Sequence, residues 1–141
     1  SSARERYKGY SDVCKENGIE EHNIECDYNF QNGLRVVEDI LNQFPLVDGI
    51  ISCNDMVALS AMKVLTQHRI SVPEQIQLIG FDDIEWTQML TPEISSIKQP
   101  LDEMAEKAVE LIILESKEQE PPQKEYKFPV KLMARQTTKT L

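Results

Sequence analysis

The chain has 141 residues, is 40% hydrophobic and 28% charged, and carries a formal net charge of −9. That length sustains one hydrophobic core, and the composition excludes an intrinsically disordered chain. The negative balance repels phosphate backbones, so these residues alone make a poor nucleic-acid surface, and no apolar run reaches the roughly 18 residues of a membrane span.

The three cysteines, Cys14, Cys26 and Cys53, cannot all pair within one chain and form no CxxC motif. Free thiols in a reducing cytoplasm are the simplest reading. Ser1-Ser2-Ala3, with no initiator Met, leads directly into a helical pattern in which Ser2 and Glu5 have capping-box spacing. The sequence is therefore expected to be a segment of a longer polypeptide.

A first helix is predicted over residues 5–17, with Gly18 as its stop. Residues 24–27 read as extended. A second helix over 31–44 carries Leu34, Val37, Ile40 and Leu41 on one face and ends before Pro45. Residues 49–53 are an apolar run of buried-strand length. Asn54-Asp55 then caps a helix to residue 69, Val72-Pro73 marks its exit, and residues 77–81 form the next buried strand. Strand, helix and strand at this spacing predict a right-handed crossover and parallel pairing, and runs without period-two alternation predict a sheet covered on both faces. After Pro92, residues 95–99 form a short segment. Pro100 opens a helix to residue 118 in which Leu101, Met104, Ala105, Ala108 and Ile112 make a core-facing stripe. A polar loop with Pro121-Pro122 leads to a last strand over 126–133. This order predicts an α/β fold built on a doubly wound parallel sheet.

In such sheets ligands collect at the carboxyl ends of the strands. Those ends carry Asp27-Tyr28, Asn54-Asp55 and Asp82-Asp83. Carboxylates and amides share hydrogen bonds with hydroxyls, and an aromatic ring stacks on C–H faces, so the inventory suits a polyhydroxylated molecule such as a sugar. Plainer readings stand beside this one. Asp55 reads first as an N-cap, Asp83 as a turn residue or cap of a short helical segment over 84–90, and Tyr28 as a turn aromatic. Asn54 and Asp82, one residue earlier, are better placed to face a cleft.

Catalysis has little support. Asp55, Asp82, Asp83 and Glu85 offer oxygens suited to Mg²⁺, yet no P-loop, GxGxxG or G-x-S-x-G accompanies them. His22 falls in a loop, and His68 at a helix end is expected to interact with terminal carbonyls. Cys53, at a strand end before a helix, is a candidate for a depressed pKa, but no histidine lies near it in sequence. No catalytic residue, metal or cofactor is assigned.

Several blocks stand in order: Arg6-Tyr7-Lys8-Gly9-Tyr10, Asp48-Gly49-Ile50-Ile51 with Asn54-Asp55-Met56-Val57-Ala58, and Val72-Pro73 followed by residues 76–83 (IQLIGFDD). Residues 92–100 (PEISSIKQP) and Arg135-Gln136-Thr137-Thr138 complete the set. Together they closely resemble the effector-binding core of LacI/GalR-type bacterial transcription regulators, in that family's order and spacing over essentially the whole chain. The resemblance implies a periplasmic-binding-protein-like core of two α/β subdomains with a sugar-sized effector between them. Residues 1–96 match most of the C-terminal subdomain, without the strand that precedes its first helix. Residues 97–141 match the crossover, last helix and last strand that return to the N-terminal subdomain. The DNA-binding head has no counterpart here, so operator DNA is implied as a partner only through that head.

Residue by residue, the resemblance implies effector contacts by Arg6 in the R-x-x-G-[FY] motif, by Asn54 and Asp82 at two strand ends, and by Tyr28 at a stacking position where some relatives carry Trp. Gln99, at the crossover, is implied as a contact or as a hinge. A homodimer is implied through Leu59, Met62 and Lys63 on the third helix and Trp86, Met89 and Leu90 on the short segment. Taken alone, Leu59 and Met62 read as core and Trp86 as an amphipathic anchor. The function implied is a cytoplasmic module of a transcriptional regulator that senses a sugar or sugar phosphate; sugar-binding proteins of transport systems use the same cleft. The last helix lacks the partner its apolar face implies, so dimerisation, swapping or partial disorder of residues 100–141 is expected.

Overall fold

The first helix, α1 (Ser2–Asn17), stops where its glycine predicts. Gly18 takes φ +64°, and the Gly18 and Ile19 amides donate back to the Lys15 and Cys14 carbonyls at 3.3 and 2.9 Å. This double closure requires a left-handed residue, which glycine supplies without a Cβ clash. The computed structural model describes residues 2–123 and 125–139; the Ser2 side chain, and with it the Ser2–Glu5 capping box, lies outside them.

Residues 19–27 form no strand, so the extended stretch expected at 24–27 runs as a linker. An extended segment becomes a strand only against a neighbour, and none among the described residues pairs with this one. The linker leads to α2 (Phe30–Gln43), whose N-cap Asn29 accepts the Asn32 amide at 2.8 Å. Next come β1 (Gly49–Ile51) and α3 (Asp55–Gln67). α2 lies along α3 with Leu34, Val37, Ile40 and Leu41 facing the core as its pattern predicts. Close approach is set at Gly33, where a Cβ would sit 2.6 Å from Ser60 Oγ.

β1, β2 (Gln77–Asp82), β3 (Ser95–Lys98) and β4 (Lys131–Met133) form one sheet in that order. The first three are parallel and β4 is antiparallel to β3, so the sheet is mixed rather than wholly parallel. One face carries Ile50, Leu78 and Gly80 and is sealed by α3 with Ala58, Ala61 and Leu65. Burying each of Ile50, Leu78 and Leu65 contributes roughly 1.5–3 kcal/mol. The other face is only partly covered, with Ile51 66% exposed, so the expected cover on both faces is incomplete.

A one-turn 3-10 helix, Glu85–Gln88, joins β2 to β3. After β3 comes α4 (Leu101–Ser116), with Pro100 at its N-cap. α4 buries no residue, and Leu101 and Ile112 of the predicted stripe lie exposed. The stripe is a helical pattern without a core to meet. Residues 131–139 rejoin the sheet: the Thr137 hydroxyl donates to the Leu78 carbonyl at 2.7 Å and accepts the Ser95 amide at 2.8 Å. A boundary after residue 96 therefore falls inside β3, and the last strand sits on the body formed by the earlier residues.

Candidate functional site

The site is built where β1, β2 and β3 end. α1 sends Arg6 across the partly covered face of the sheet, so that its guanidinium stacks 3.7 Å from the centroid of the Phe81 ring. From there Nη1 donates to the Cys53 carbonyl at 2.5 Å, and Nη2 lies 3.7 Å from Asp82 Oδ1. The Gln99 side-chain amide, arriving from the end of β3, donates to the same Asp82 oxygen at 2.8 Å. Arg6, Asp82 and Gln99 thus form one polar cluster. Beside it a cleft of about 290 Å³ opens between Asp82, Gln99 and the first turn of α4.

Burial raises the Asp82 carboxyl above an ordinary aspartate; the Arg6 charge opposes the rise, Asp55 adds to it and the Gln99 bond again opposes it. Asp82 is consequently an acceptor held partly out of water, with two donors already aimed at it. Such a group gains from a hydroxyl that replaces lost solvent.

Asn54 and Tyr28 join the rim in another way. Asn54 is the N-cap of α3: its Oδ1 accepts the Val57 amide at 3.0 Å, while its Nδ2 donates to the Tyr28 carbonyl at 3.4 Å. The side chain expected to face the cleft is thus largely occupied by its own helix. The Tyr28 ring is 45% exposed and free to present a face. Asp55, expected as the cap, is instead fully buried, accepting the Ser96 hydroxyl at 2.7 Å and the Ile84 amide at 2.9 Å. A Cβ on Gly80 would lie 2.1 Å from Asp55 Oδ1, which explains the glycine in the middle of β2.

The remaining acids take separate partners. Asp83 pairs with Arg135 at 2.5 Å, and among the described residues no three His, Cys, Asp or Glu side chains cluster as metal ligands. His68 pairs with Glu38 at 2.8 Å rather than with helix carbonyls, and His22 stacks on Phe44. Burial pushes the Cys53 thiol up, the reverse of the depression expected, and pushes Cys26 up to about 11. Of the expected interface residues, Met62 is 7% exposed and lies in the core, and Leu59 packs partly against it. Lys63, Trp86, Met89 and Leu90 are exposed.

The family profile described as a periplasmic binding protein-like domain matches residues 1–138. The chain belongs to that family. Within it, this periplasmic-binding-protein-like chain is similar to the ribose operon repressor of Halalkalibacterium halodurans, 29% identical over 97% of this chain and 41% of that protein. The ribose operon repressor of Bacillus subtilis is likewise 29% identical, over 98% of this chain and 43% of that protein. The chain thus spans about two-fifths of these relatives. Among solved structures, a CelR–cellobiose complex superposes with a TM-score of 0.88 at 25% identity, covering 94% of this chain and 42% of that one. The lac repressor dimer bound to operator and the anti-inducer ONPF gives a TM-score of 0.88 at 28% identity, covering 97% of this chain and 48% of that one. These likenesses are to LacI-type regulators. No helix among the described residues is long and apolar enough to cross a membrane.

Sequence reasoning missed three parts of this periplasmic-binding-protein-like site: the Phe81 platform under Arg6, the buried Asp55–Ser96 bond and the Arg135–Asp83 pair. Gly80 two residues before Asp82 carried a readable signal, because a glycine inside a strand marks close approach. The two polar pairings join residues 41 and 52 positions apart, which no local pattern reveals.

Proposed function

We propose that this chain is the effector-sensing part of a LacI-type transcriptional regulator and that its effector is a sugar. The observation carrying this reading is the Arg6–Asp82–Gln99 cluster on the carboxyl rim of a parallel sheet. A planar guanidinium, a half-buried carboxylate and an amide offer donors and acceptors at spacings that suit neighbouring hydroxyls, and Tyr28 adds a ring for stacking. Arg6, Tyr28, Asn54, Asp82 and Gln99 are the proposed contacts, Asn54 chiefly by holding the Tyr28 turn. Relatives named for ribose and a neighbour named for cellobiose support a sugar over other small molecules.

Two further elements belong to this reading. Residues 1–96 with the returning strand form one subdomain, and α4 with its loop reaches toward the second, so that effector bridges both and favours one closure. Trp86, Met89 and Leu90, with Lys63 and the edge of Leu59, form the face of a cytoplasmic homodimer. Operator DNA is bound by regions that the relatives carry outside the matched stretch, which accords with the acidic charge here. The role is binding rather than catalysis.

A thermal-shift screen with D-ribose, cellobiose, lactose and ribose 5-phosphate tests the proposal. A ligand at 100 times its Kd stabilises by about 2.7 kcal/mol. A shift with one of these sugars that disappears in Asp82→Ala is the expected result; equal shifts in both proteins would remove the rim as the site.

A further inference from the structure

Asp82 carries the proposed effector contact on an unusual backbone. Asp82 has φ +117° and Asp83 φ +58°, two consecutive non-glycine residues in the region that side chains disfavour. Such a turn persists only where its surroundings over-determine it. Here three separate elements do so. From β3, Ser96 Oγ accepts the Asp83 amide at 3.1 Å; from α3, Asp55 Oδ2 accepts the Ile84 amide at 2.9 Å and Asp55 Oδ1 holds Ser96. From the tail, Arg135 grips the Asp83 carboxylate at 2.5 Å.

The Arg135 grip is nearly dry, with side chains 10% and 5% exposed for Arg135 and Asp83. The rest of the guanidinium is also engaged. Nη1 donates to the Ile94 carbonyl at 2.8 Å and to Thr87 Oγ1 at 3.3 Å, and Nε stands 4.0 Å from Glu93. The Arg135 amide donates to Ser95 Oγ at 2.8 Å. A planar fork with several donors fixes its acceptor in direction as well as distance, which a lysine ammonium does not. Arg135 does not line the cleft beside Asp82.

We infer that Arg135 is a positioning residue of the effector site: through Asp83 it holds the left-handed turn that aims the Asp82 carboxylate at Arg6 and Gln99. It makes the tail of the chain part of the recognition machinery without touching the ligand. The inference rests on the effector-site reading for its consequence in binding, but its structural core stands apart from any ligand.

The test therefore reads both. NMR of the whole chain follows the titration of the Asp82 carboxyl and the side-chain amide shifts of Gln99 in the wild type, Arg135→Lys and Asp83→Asn. Asp83→Asn is nearly isosteric and keeps the test open if Arg135→Lys fails to fold. The expected result is that both Asp82 and Gln99 signals move while the amides of α2 and α3 stay in place, and that D-ribose binding, where the wild type shows it, weakens roughly tenfold or more. Unchanged Asp82 and Gln99 signals in a folded variant would overturn the inference. Altered signals with no ribose binding by the wild type would uphold the positioning and count against ribose as the effector.

Discussion

Arg6 stands over Phe81 with its guanidinium 3.7 Å from Asp82, the only link among the proposed contacts that joins α1 to the strand ends through charge as well as packing. Lysine at this place retains the charge and loses the stack and the fork. Arg6→Lys is expected to weaken sugar binding by roughly tenfold or more while changing stability by no more than about 1 kcal/mol. Calorimetric titration together with urea unfolding separates the two effects.

Asp82 gives a pH prediction with a definite sign. Burial raises its carboxyl in the folded state, so the folded chain favours the protonated form. Its contribution to stability is fully present below the unfolded pKa and is lost as pH rises through the folded value. Asp82→Asn should therefore melt above the wild type at neutral pH, with the gap closing on acidification through the aspartate range. A gap that widens toward acid would contradict the burial argument.

Gly80→Ala should be among the most damaging small changes in the chain. The new methyl meets Asp55 Oδ1, and moving that carboxylate breaks its bonds to Ser96 and Ile84 together. A loss of about 2 kcal/mol or more is expected in denaturant unfolding.

Met62 and Trp86 should part company. Met62 is interior, so Met62→Ala should cost about 2–5 kcal/mol even at dilutions where self-association is absent. Trp86 is 55% exposed, and Trp86→Ala should leave stability within about 0.5 kcal/mol. Sedimentation should show weakened self-association for Trp86→Ala if that face joins two copies.

The parallel core was legible because apolar runs, caps and punctuating prolines all act locally. Gln77-Leu78-Ile79 against Gly49-Ile50-Ile51 needed only strand length and an intervening helix. The exchange of roles between Asn54 and Asp55 was not legible: both residues cap helices well, and only the bonds that Ser96 and Ile84 offer decide which one turns inward. The extended stretch at 24–27 and the apolar stripe of α4, a helix that forms as predicted, lie unpaired for a shared reason. Each carries an intrinsic pattern that calls for a neighbour, and pattern alone does not say whether the neighbour is in the same stretch of chain.

That no residue of α4 is fully buried has a consequence for how the molecule breathes. Its amides should open by helix fraying, without disturbing α3 or the sheet, whereas those of α3 at the fully buried Ala61 and Leu65 should wait for global unfolding. Hydrogen exchange should thus divide this one chain into a fast population in α4 and a slow one in α2, α3 and β2. A partner that covered α4 would slow the first population and leave the second nearly unchanged, so the exchange rate of a single helix becomes a gauge of assembly.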